Sequence, residues 1–398
     1  MSKERAAGFA AAMKKADMQE TAKSIIQEFN ICDNCLGRQF GQVSHGLTNK
    51  QRGMLIRKML KSKEHEKRCQ ICRGLFQKGI DRWAAKAITK LEKLEFGSFL
   101  IGSRMTPALV ESEEKLWEFA GIKYCEPMKT EFNREVGKLV SGRMRKDVNE
   151  LAPDVAVLID LERKKVELQI NPLFIYGEYQ KLVRGIPQTK WETYKTSVED
   201  VIAKPVMKAA KGKGHSLHGS GREDIDALCL GWRPFVLEIS SPGKRRVGMR
   251  KMQADINRSG KVRVRHLRAS SKKEVAEIKS ARNDKTYRML VEFGNRIDDE
   301  QLKKLDTLRG TIVQETPQRV VHRRVDKIRK RKVKEIRWKN VSNKKLVLEI
   351  KGEAGLYVKE LVSGDNGRTR PSVSGVTGNP AKVLELDVIR IHSTKERK

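Results

Sequence analysis

Apolar positions along the chain change between helical spacing and strand spacing, which predicts a protein of mixed α and β structure. Residues from about 4 to 29 favour one helix, with Ile25, Ile26 and Phe29 on an apolar face near its end. Phe132, Val136 and Val140 recur at a spacing of four and predict a helix over 128–146. Further helices in this half are predicted at 49–63, 81–94 and near 111–119.

Three apolar runs predict strands in the same half of the chain: 96–101, 154–160 and 165–170. The last two are joined by a polar turn, which is compatible with a β-hairpin. Together with the helices, these strands predict an α+β module with basic exposed faces.

The composition changes at about residue 175, which we interpret as the main domain boundary. Residues 171–187 are predicted to form a connector, and 194–203 a short helix that Pro205 should end or kink. The glycine- and lysine-containing stretch 208–214 is predicted to be flexible. Strands and helices then alternate. Strands are predicted at 231–239, 261–266, 285–293, 310–314, 345–350 and 383–391, and helices at 271–281, 298–308 and 355–361.

A glycine-broken loop at 218–226 carries four charged residues just before the predicted strand 231–239: Arg222, Glu223, Asp224 and Asp226. Charged residues on a turn that is anchored to a strand are a usual form of reactive site. A solvated acidic turn explains the same residues more simply, and the loop alone does not decide between the two.

The charge of the chain narrows the choice of partners. Eighty-four Lys and Arg against fifty Asp and Glu leave a formal net charge of +34 over 398 residues, which predicts a polyanionic partner, most simply nucleic acid. A dense basic segment at 319–334 suits contact with an RNA or DNA backbone, although a solvated basic face is the alternative. A membrane surface is the weaker option because no long apolar segment or amphipathic anchor accompanies the charge.

Two C-x-x-C pairs, Cys32/Cys35 and Cys69/Cys72, predict a structural Zn²⁺ site with four thiolate ligands. Two residues between ligands allow a tight turn to direct both thiolates at one tetrahedral ion. Reduced core thiols or redox chemistry are the alternatives. The first 20 residues contain no apolar signal region, so we expect a cytoplasmic protein, in which structural disulfides are uncommon. Neither a phosphate-binding G-x-x-x-x-G-K-[ST] loop nor a dinucleotide-binding G-x-G-x-x-G after a strand is present.

The tetrapeptide 221–224, Gly-Arg-Glu-Asp, resembles the G-R-x-D signature of pseudouridine synthases. With three further stretches, 233–238, 316–324 and 357–365, the longer segment 218–226 resembles the tRNA pseudouridine(54/55) synthase family of archaea and eukaryotes. That family carries an N-terminal domain with paired C-x-x-C motifs and a THUMP-like RNA-binding module, so the resemblance covers nearly the whole chain.

The resemblance implies an α+β fold in three parts. These are a helical zinc-binding segment at 1–95, a THUMP-like module at 96–173, and a pseudouridine synthase catalytic domain at 174–398 with a mixed, mainly antiparallel sheet flanked by helices. It implies a monomer that acts on uridine 54, uridine 55 or both in tRNA without a catalytic cofactor.

The resemblance also implies roles for individual residues. Asp224 matches the catalytic Asp, and Lys359 its basic partner. Arg222 is expected to help hold a flipped-out nucleotide, and Tyr287 to stack on the uracil. Val358 and Leu386 match apolar walls around the base, although core packing would explain them equally well; Ala227, Leu228 and Trp232 depart from the family's usual Val-Arg pair and Gly.

Two other functions remain open. Another THUMP-bearing tRNA-modifying enzyme, such as a methyltransferase or a sulfur-transfer enzyme, would need a glycine-rich cofactor loop or a catalytic Cys pair, and neither is apparent. A non-catalytic zinc-containing RNA-binding protein would account for the charge and the cysteines but would leave the Arg-Glu-Asp loop unexplained.

Overall fold

The computed structural model describes residues 3–63, 68–323 and 325–392, and it forms two compact units, Met1–Asn171 and Pro172–Lys398. Arg324, which belongs to the motif 316–324 and to the basic segment, lies outside the described residues, as does the side chain of Arg323. The division at 171/172 lies close to the predicted main boundary, whereas the three-part division with a boundary at 95/96 stays a prediction.

The first unit combines seven helices with a four-stranded sheet in its described part. Its helices are α1 (Lys3–Ala12), α2 (Ala16–Glu28), α3 (Asp33–Gln39), α4 (Asn49–Met59), α5 (Ile80–Leu91), α6 (Pro107–Ala120) and α7 (Met128–Met144), and one π-helical turn, Leu75–Gly79, leads into α5. Its strands are β1 (Ser98–Arg104), β2 (Asp147–Val148), β3 (Val155–Asp160) and β4 (Lys165–Ile170). The sheet has the order β2-β1-β3-β4, with β1 parallel to both neighbours and β3 antiparallel to β4.

The predicted hairpin of β3 and β4 is confirmed, but the single helix predicted over 4–29 is wrong. The chain leaves the helix after α1 because Lys15 adopts an extended backbone and Met13 turns into the core, where it is 1% exposed. Asp17 then stands in the first turn of α2, where a negative charge is favourable.

The second unit is built on one ten-stranded sheet. Its strands are β5 (Leu173–Lys181), β6 (Gly214–Gly219), β7 (Leu228–Ser240), β8 (Val262–Ser270), β9 (Asp284–Phe293), β10 (Gly310–Gln314), β11 (Arg329–Ser342), β12 (Lys345–Gly352), β13 (Thr369–Arg370) and β14 (Ala381–His392). Its helices are α8 (Val198–Ala210), α9 (Met249–Asn257), α10 (Lys272–Ser280), α11 (Asp299–Lys303), α12 (Val358–Ser363) and α13 (Val373–Thr377). Short 3₁₀ turns lie at Lys304–Leu308, Gln318–Arg323 and Asp365–Gly367.

The strand order is β13-β10-β11-β12-β9-β14-β7-β5-β8, with β6 also paired to β7. Every pair is antiparallel except β14 with β7. The predicted α+β class and the mixed, mainly antiparallel sheet are therefore confirmed.

Three predictions around the start of this unit are wrong. Residues 171–187 are not a connector, because they contain β5, which pairs with β7 and β8 and whose alternate residues are buried. The expectation that Pro205 ends a helix is wrong, since α8 continues through it to Ala210, whereas a kink at this proline stays a prediction. Burial of Val198, Ile202 and Val206 on one face of α8 outweighs the hydrogen bond that proline cannot donate. The stretch 208–214 is the last turn of α8 and the start of β6, not a flexible tail.

Candidate active site

The charged loop at 220–227 lies where β7 changes its partner strand. On one edge of β7, Leu228 and Cys229 pair with β14, whereas residues 235–240 pair with β6. The loop connects β6 to β7 and returns to this gap, where the Ser220 backbone N–H donates to the Pro234 carbonyl at 2.9 Å. The sheet therefore presents this loop at a break in its own hydrogen-bond ladder.

Gly221 lets the loop turn back over the strand. Its φ of +80° lies in the left-handed region that residues with a side chain rarely adopt. Its Cβ position would also lie 3.2 Å from Nη1 of Arg233. A glycine is thus required at the turn that precedes Arg222.

A buried polar cluster anchors the loop to the sheet. Glu223 and Arg233 are both buried, and Nε of Arg233 lies 3.0 Å from Oε2 of Glu223. The Tyr179 hydroxyl donates to the same carboxylate at 2.9 Å. Gln188 donates to the Tyr179 hydroxyl at 2.8 Å and to the Gly221 carbonyl at 2.9 Å. The Glu223 carboxylate therefore has a structural role, since its oxygens bind Arg233 and Tyr179.

Lys181 at the end of β5 fixes the backbone of the charged residues. Its Nζ donates to the carbonyls of Asp224 and Ile225 at 3.1 and 3.0 Å, and to Ile186 at 2.9 Å. Burial lowers the pKa of Lys181, and the three carbonyl acceptors satisfy its ammonium protons. Because the amine holds the Asp224 carbonyl, the Asp224 side chain is left free to face outward.

Asp224 and Asp226 share one cation. Nζ of Lys359, in α12, lies 3.0 Å from Oδ2 of Asp224 and 3.0 Å from Oδ2 of Asp226. The two carboxylates differ in exposure, because the Asp224 side chain is 37% exposed and that of Asp226 is 69% exposed. Burial lowers the pKa of Lys359, but the two aspartates outweigh it and raise that pKa above its ordinary value. The ammonium group therefore stays charged beside Asp224.

Tyr287, Val358 and Leu386 lie together on the apolar side of the site. Val358 and Leu386 are each 6% exposed and belong to one hydrophobic cluster, against which the ring of Tyr287 packs. Burial raises the pKa of Tyr287 to about 12, and the negative charge of Asp224 contributes to the rise. The neutral phenol is therefore within electrostatic reach of Asp224, and Val358 directly precedes Lys359 in α12.

Arg222 and Arg319 extend the positive charge of the site in two directions. The Arg222 guanidinium lies over the ring of Trp191, with Cζ 5.0 Å from the ring centroid. Nε of Arg319 lies 2.6 Å from Oε1 of Glu360, next to Lys359 in α12. Within the loop, the Arg222 side chain is therefore directed to Trp191, and no ion pair with Asp224 is found among the described residues.

The departure at Ala227 and Leu228 has a structural account. Ala227 is fully buried in the hydrophobic cluster, and the Leu228 N–H donates to Oδ1 of Asp387 at 3.3 Å. Arg184 reaches the same place from another loop. Its guanidinium donates to the Asp226 carbonyl at 2.8 Å and pairs with Asp387 at 2.7 Å. A basic group therefore stands beside the loop although none is present at 227–228.

The four cysteines of the first unit meet in one buried cluster. Their sulfur atoms all lie within 4.8 Å of one another, and Sγ of Cys32 is 3.7 Å from Sγ of Cys72. The backbone N–H of Cys32 also donates to Sγ of Cys69 at 3.3 Å. Sulfur ligands at about 2.3 Å from a tetrahedral ion would lie at about this separation, so the donor set fits a metal ion.

Comparison with known proteins identifies the family. The model of the Pus10 C-terminal domain matches residues 174–392, and that of the archaeal Pus10 THUMP domain matches 83–160. The chain belongs to the Pus10 family.

Three curated relatives span nearly the whole chain. Each is named tRNA pseudouridine synthase Pus10. The protein of Methanothrix thermoacetophila is 37% identical, with 94% of this chain and 95% of the relative covered. That of Pyrococcus furiosus is 38% identical (94% and 97% covered), and that of Methanothermobacter marburgensis is 42% identical (94% and 99% covered).

Two solved structures resemble the Pus10 chain more distantly. A Cbf5-Nop10-Gar1 complex matches with 16% identity and a TM-score of 0.34, over 55% of this chain and 50% of the matched chain. A pseudouridylate synthase matches with 13% identity and a TM-score of 0.22, over 58% and 74%. Neither likeness is close enough to assign a role to any residue.

Several residues of this Pus10 site escaped prediction from the sequence. Tyr179 and Lys181 lie in the stretch 171–187 that is predicted to be a connector, and Gln188 follows it directly, although all three support the loop. The alternation of Leu173, Ile175 and Tyr179 is the signal in the sequence that favours β5. No helix in the described part of the chain is long and apolar enough to cross a membrane.

Proposed function

We propose that the protein isomerises uridine to pseudouridine at position 54, position 55 or both in the T arm of tRNA, with Asp224 as the catalytic residue. The observation that carries the proposal is the ion pair of Asp224 and Lys359 beside Tyr287, on a loop with the G-R-x-D sequence. The names of the relatives support the reaction class, and the net charge of +34 supports an RNA substrate.

The reaction replaces one bond to the sugar by another. The bond between N1 of uracil and C1′ of ribose breaks, the base rotates, and C5 of uracil joins C1′. N1 gains a proton and C5 loses one, so the reaction needs neither an oxidant nor a reductant. The Asp224 carboxylate would start it either by attacking C1′ or by removing a proton from the sugar, and both routes require the ionised form.

Lys359 pairs with this carboxylate in a site that is partly closed to water. The ammonium group at 3.0 Å balances the negative charge of Asp224 and orients its side chain. Asp226 shares the same ammonium group but is more exposed, which supports a scaffolding part for it. Glu223 is buried against Arg233 and supports the loop.

Tyr287 and the two walls would receive the uracil. The Tyr287 hydroxyl has a pKa of about 12 and stays protonated at neutral pH. It can therefore donate a hydrogen bond or pass a proton during rearrangement. Val358 and Leu386 would border the base and exclude water. The target uridine lies inside a folded tRNA and must be extruded to reach Asp224, and Arg222 would help to hold it.

Binding of tRNA would use surfaces away from the reacting atoms. We propose that the first unit, with a helical zinc-binding segment at 1–95 and a THUMP-like module at 96–173, holds tRNA by shape and phosphate contacts. In the basic segment, Lys330 and Lys332 are exposed and suit contact with the backbone. Arg319 forms an ion pair with Glu360, so part of its positive charge is neutralised within the protein.

We propose that the cysteine cluster holds a structural Zn²⁺ ion. Four sulfur ligands are typical of structural zinc sites, and the ion would crosslink the segment at 32–35 to that at 69–72. All six cysteines are free of disulfides, which supports a reducing compartment such as the cytoplasm.

Incubation with an unmodified tRNA transcript tests the function. Pseudouridine is mapped by carbodiimide modification and primer extension. The wild-type protein should produce new stops in the T arm, and Asp224→Ala should abolish them while tRNA binding is retained. An active Asp224→Ala variant would overturn the catalytic assignment, and an inactive wild-type protein that binds tRNA would favour a non-catalytic RNA-binding function.

A further inference from the structure

A loop that precedes α8 places two aromatic residues beside Arg222. Residues 189–197 lie outside any helix or strand, and the two ends of this loop are joined by backbone hydrogen bonds. The N–H groups of Val198 and Glu199 donate to the carbonyls of Pro187 and Gln188, each at 2.9 Å. The segment is therefore a closed Ω-loop, a kind of surface loop that frequently carries function.

The base of this Ω-loop is attached to the loop that carries Asp224. Gln188 is 6% exposed and donates to the Gly221 carbonyl at 2.9 Å, one residue before Arg222. The Gly185 N–H donates to the Ile225 carbonyl at 2.9 Å. The two loops therefore keep a fixed relation to each other, and the position of Trp191 follows that of the G-R-x-D turn.

Trp191 and Tyr194 form the aromatic part of the Ω-loop. Their ring centroids are 6.3 Å apart in an edge-to-face arrangement, and both side chains are half-buried. Cζ of Arg222 lies 5.0 Å from the Trp191 ring centroid. No ion pair of Arg222 with a carboxylate is found within the described residues, so Trp191 is the group that orients this exposed guanidinium.

We propose that Trp191 is a positioning residue for nucleotide extrusion, which holds the Arg222 guanidinium ready for the displaced nucleotide. The inference rests on the proposed function. An arginine that faces solvent has many rotamers, and ordering it only when RNA arrives would cost binding free energy. Stacking on an indole ring orders the guanidinium beforehand and leaves its N–H groups available for phosphate or base oxygens.

Tyr194 sets the orientation of Trp191 rather than that of Arg222. Its ring packs against the indole in an edge-to-face arrangement, whereas the guanidinium lies over the indole ring. A change at Tyr194 should therefore have a smaller effect than a change at Trp191. The Ω-loop is therefore anchored at its base by the buried Gln188 and contacts the exposed Arg222 through Trp191.

Four variants test the proposal: Trp191→Phe, Trp191→Leu, Arg222→Ala and the double variant Trp191→Leu/Arg222→Ala. Phenylalanine keeps an aromatic face, whereas leucine keeps apolar bulk without one. Trp191→Leu should lower kcat/KM on full-length tRNA about tenfold, and Trp191→Phe should recover most of that loss. The double variant should be no worse than Arg222→Ala alone, because Trp191 acts through Arg222.

A second substrate separates positioning from folding. In an isolated T-arm stem-loop the target uridine is not held by the rest of the tRNA, so extrusion is easier. The loss caused by Trp191→Leu should therefore shrink to about threefold or less on the stem-loop. A defect of structural origin would be equal on both substrates, and thermal unfolding of the variants checks that they fold.

The outcomes are distinct. Equal kcat/KM for Trp191→Leu and Trp191→Phe, or additive losses in the double variant, would overturn the role of Trp191. Equal losses on the two substrates would overturn the link to extrusion. A wild-type protein that forms no pseudouridine on either substrate would instead overturn the proposed function.

Discussion

Nζ of Lys359 lies 3.0 Å from Oδ2 of Asp224, and it is the cation that pairs with this carboxylate among the described residues. The amine sits in the first turn of α12, opposite the loop that carries Asp224. Charge complementarity at this point therefore depends on two elements that are far apart in sequence and meet only in the folded unit.

Replacement of this lysine should impair chemistry more than binding. Lys359→Met removes the cation that pairs with the Asp224 carboxylate and orients it, so kcat should fall about 100-fold while the Kd for tRNA changes little. Single-turnover rates and filter binding measure the two quantities. Lys351→Met is the matched control, because Lys351 also pairs with a carboxylate, Glu335, at 2.6 Å but lies in β12. Equal losses in both variants would contradict the assignment.

Replacement of Glu223 should destabilise the second unit. Glu223→Gln leaves the buried Arg233 without its anionic partner, so the free energy of unfolding should fall by about 3–5 kcal/mol. The midpoint of urea unfolding measures the effect. Glu349→Gln removes an exposed pair with Arg288 and should cost at most about 1 kcal/mol. A Glu223→Gln variant as stable as Glu349→Gln would show that the buried pair does not hold the loop.

The free energy of unfolding should depend on pH through the protonation of Lys285. Burial lowers the pKa of Lys285 from 10.5 to about 8, and the nearby Arg233 acts in the same direction. Below about pH 8 the amine is protonated in both states, and the folded state carries the full cost of a buried charge. Between about pH 8 and 10.5 the unfolded chain holds the proton more tightly, so the stability of the wild type rises relative to Lys285→Met.

Unfolding of the wild type and of Lys285→Met at pH 7.5 and at pH 10 measures this pH dependence. The stability of the methionine variant relative to the wild type should decrease between the two pH values by at most about 3 kcal/mol. A relative stability that does not depend on pH would mean that Lys285 keeps an ordinary pKa in the folded protein.

Loss of one thiolate should remove the metal without removing the chemistry. Cys69→Ser should lose Zn²⁺, unfold more readily and bind tRNA more weakly, but convert bound substrate at the wild-type rate. Elemental analysis of the purified protein measures the metal. Cys125→Ser is the control, since Cys125 is buried outside the four-cysteine cluster. Purified wild-type protein without zinc would contradict the proposed site.

The residues of the site that lie in short motifs could be predicted, because a few neighbouring residues are enough to recognise each motif. The G-R-x-D turn needs a glycine at Gly221 and places Asp224 at the loop, and both features are visible in four residues. The pairing of Asp224 with Lys359 followed from the family resemblance. Composition alone could not have brought together two residues that are separated by more than a hundred positions.

The supporting residues could not be predicted, because they contradict the usual behaviour of their residue types. Lys181 is fully buried at the end of a strand, where a charged residue indicates solvent, and its three carbonyl acceptors come from two other loops. Pro205 lies within α8, where the packing of one apolar face outweighs local propensity. Both errors arose where tertiary contacts override the local pattern.

The most direct test of the central claim compares Asp224→Asn with Asp226→Asn. Both aspartates lie 3.0 Å from the same ammonium group, and both variants remove one charge with almost no change in volume. Pseudouridine formation on unmodified tRNA is measured under single-turnover conditions with saturating protein. The account predicts no detectable pseudouridine with Asp224→Asn and a rate within about tenfold of wild type with Asp226→Asn. An active Asp224→Asn variant, or an equally inactive pair, would contradict the assignment of Asp224 as the catalytic residue.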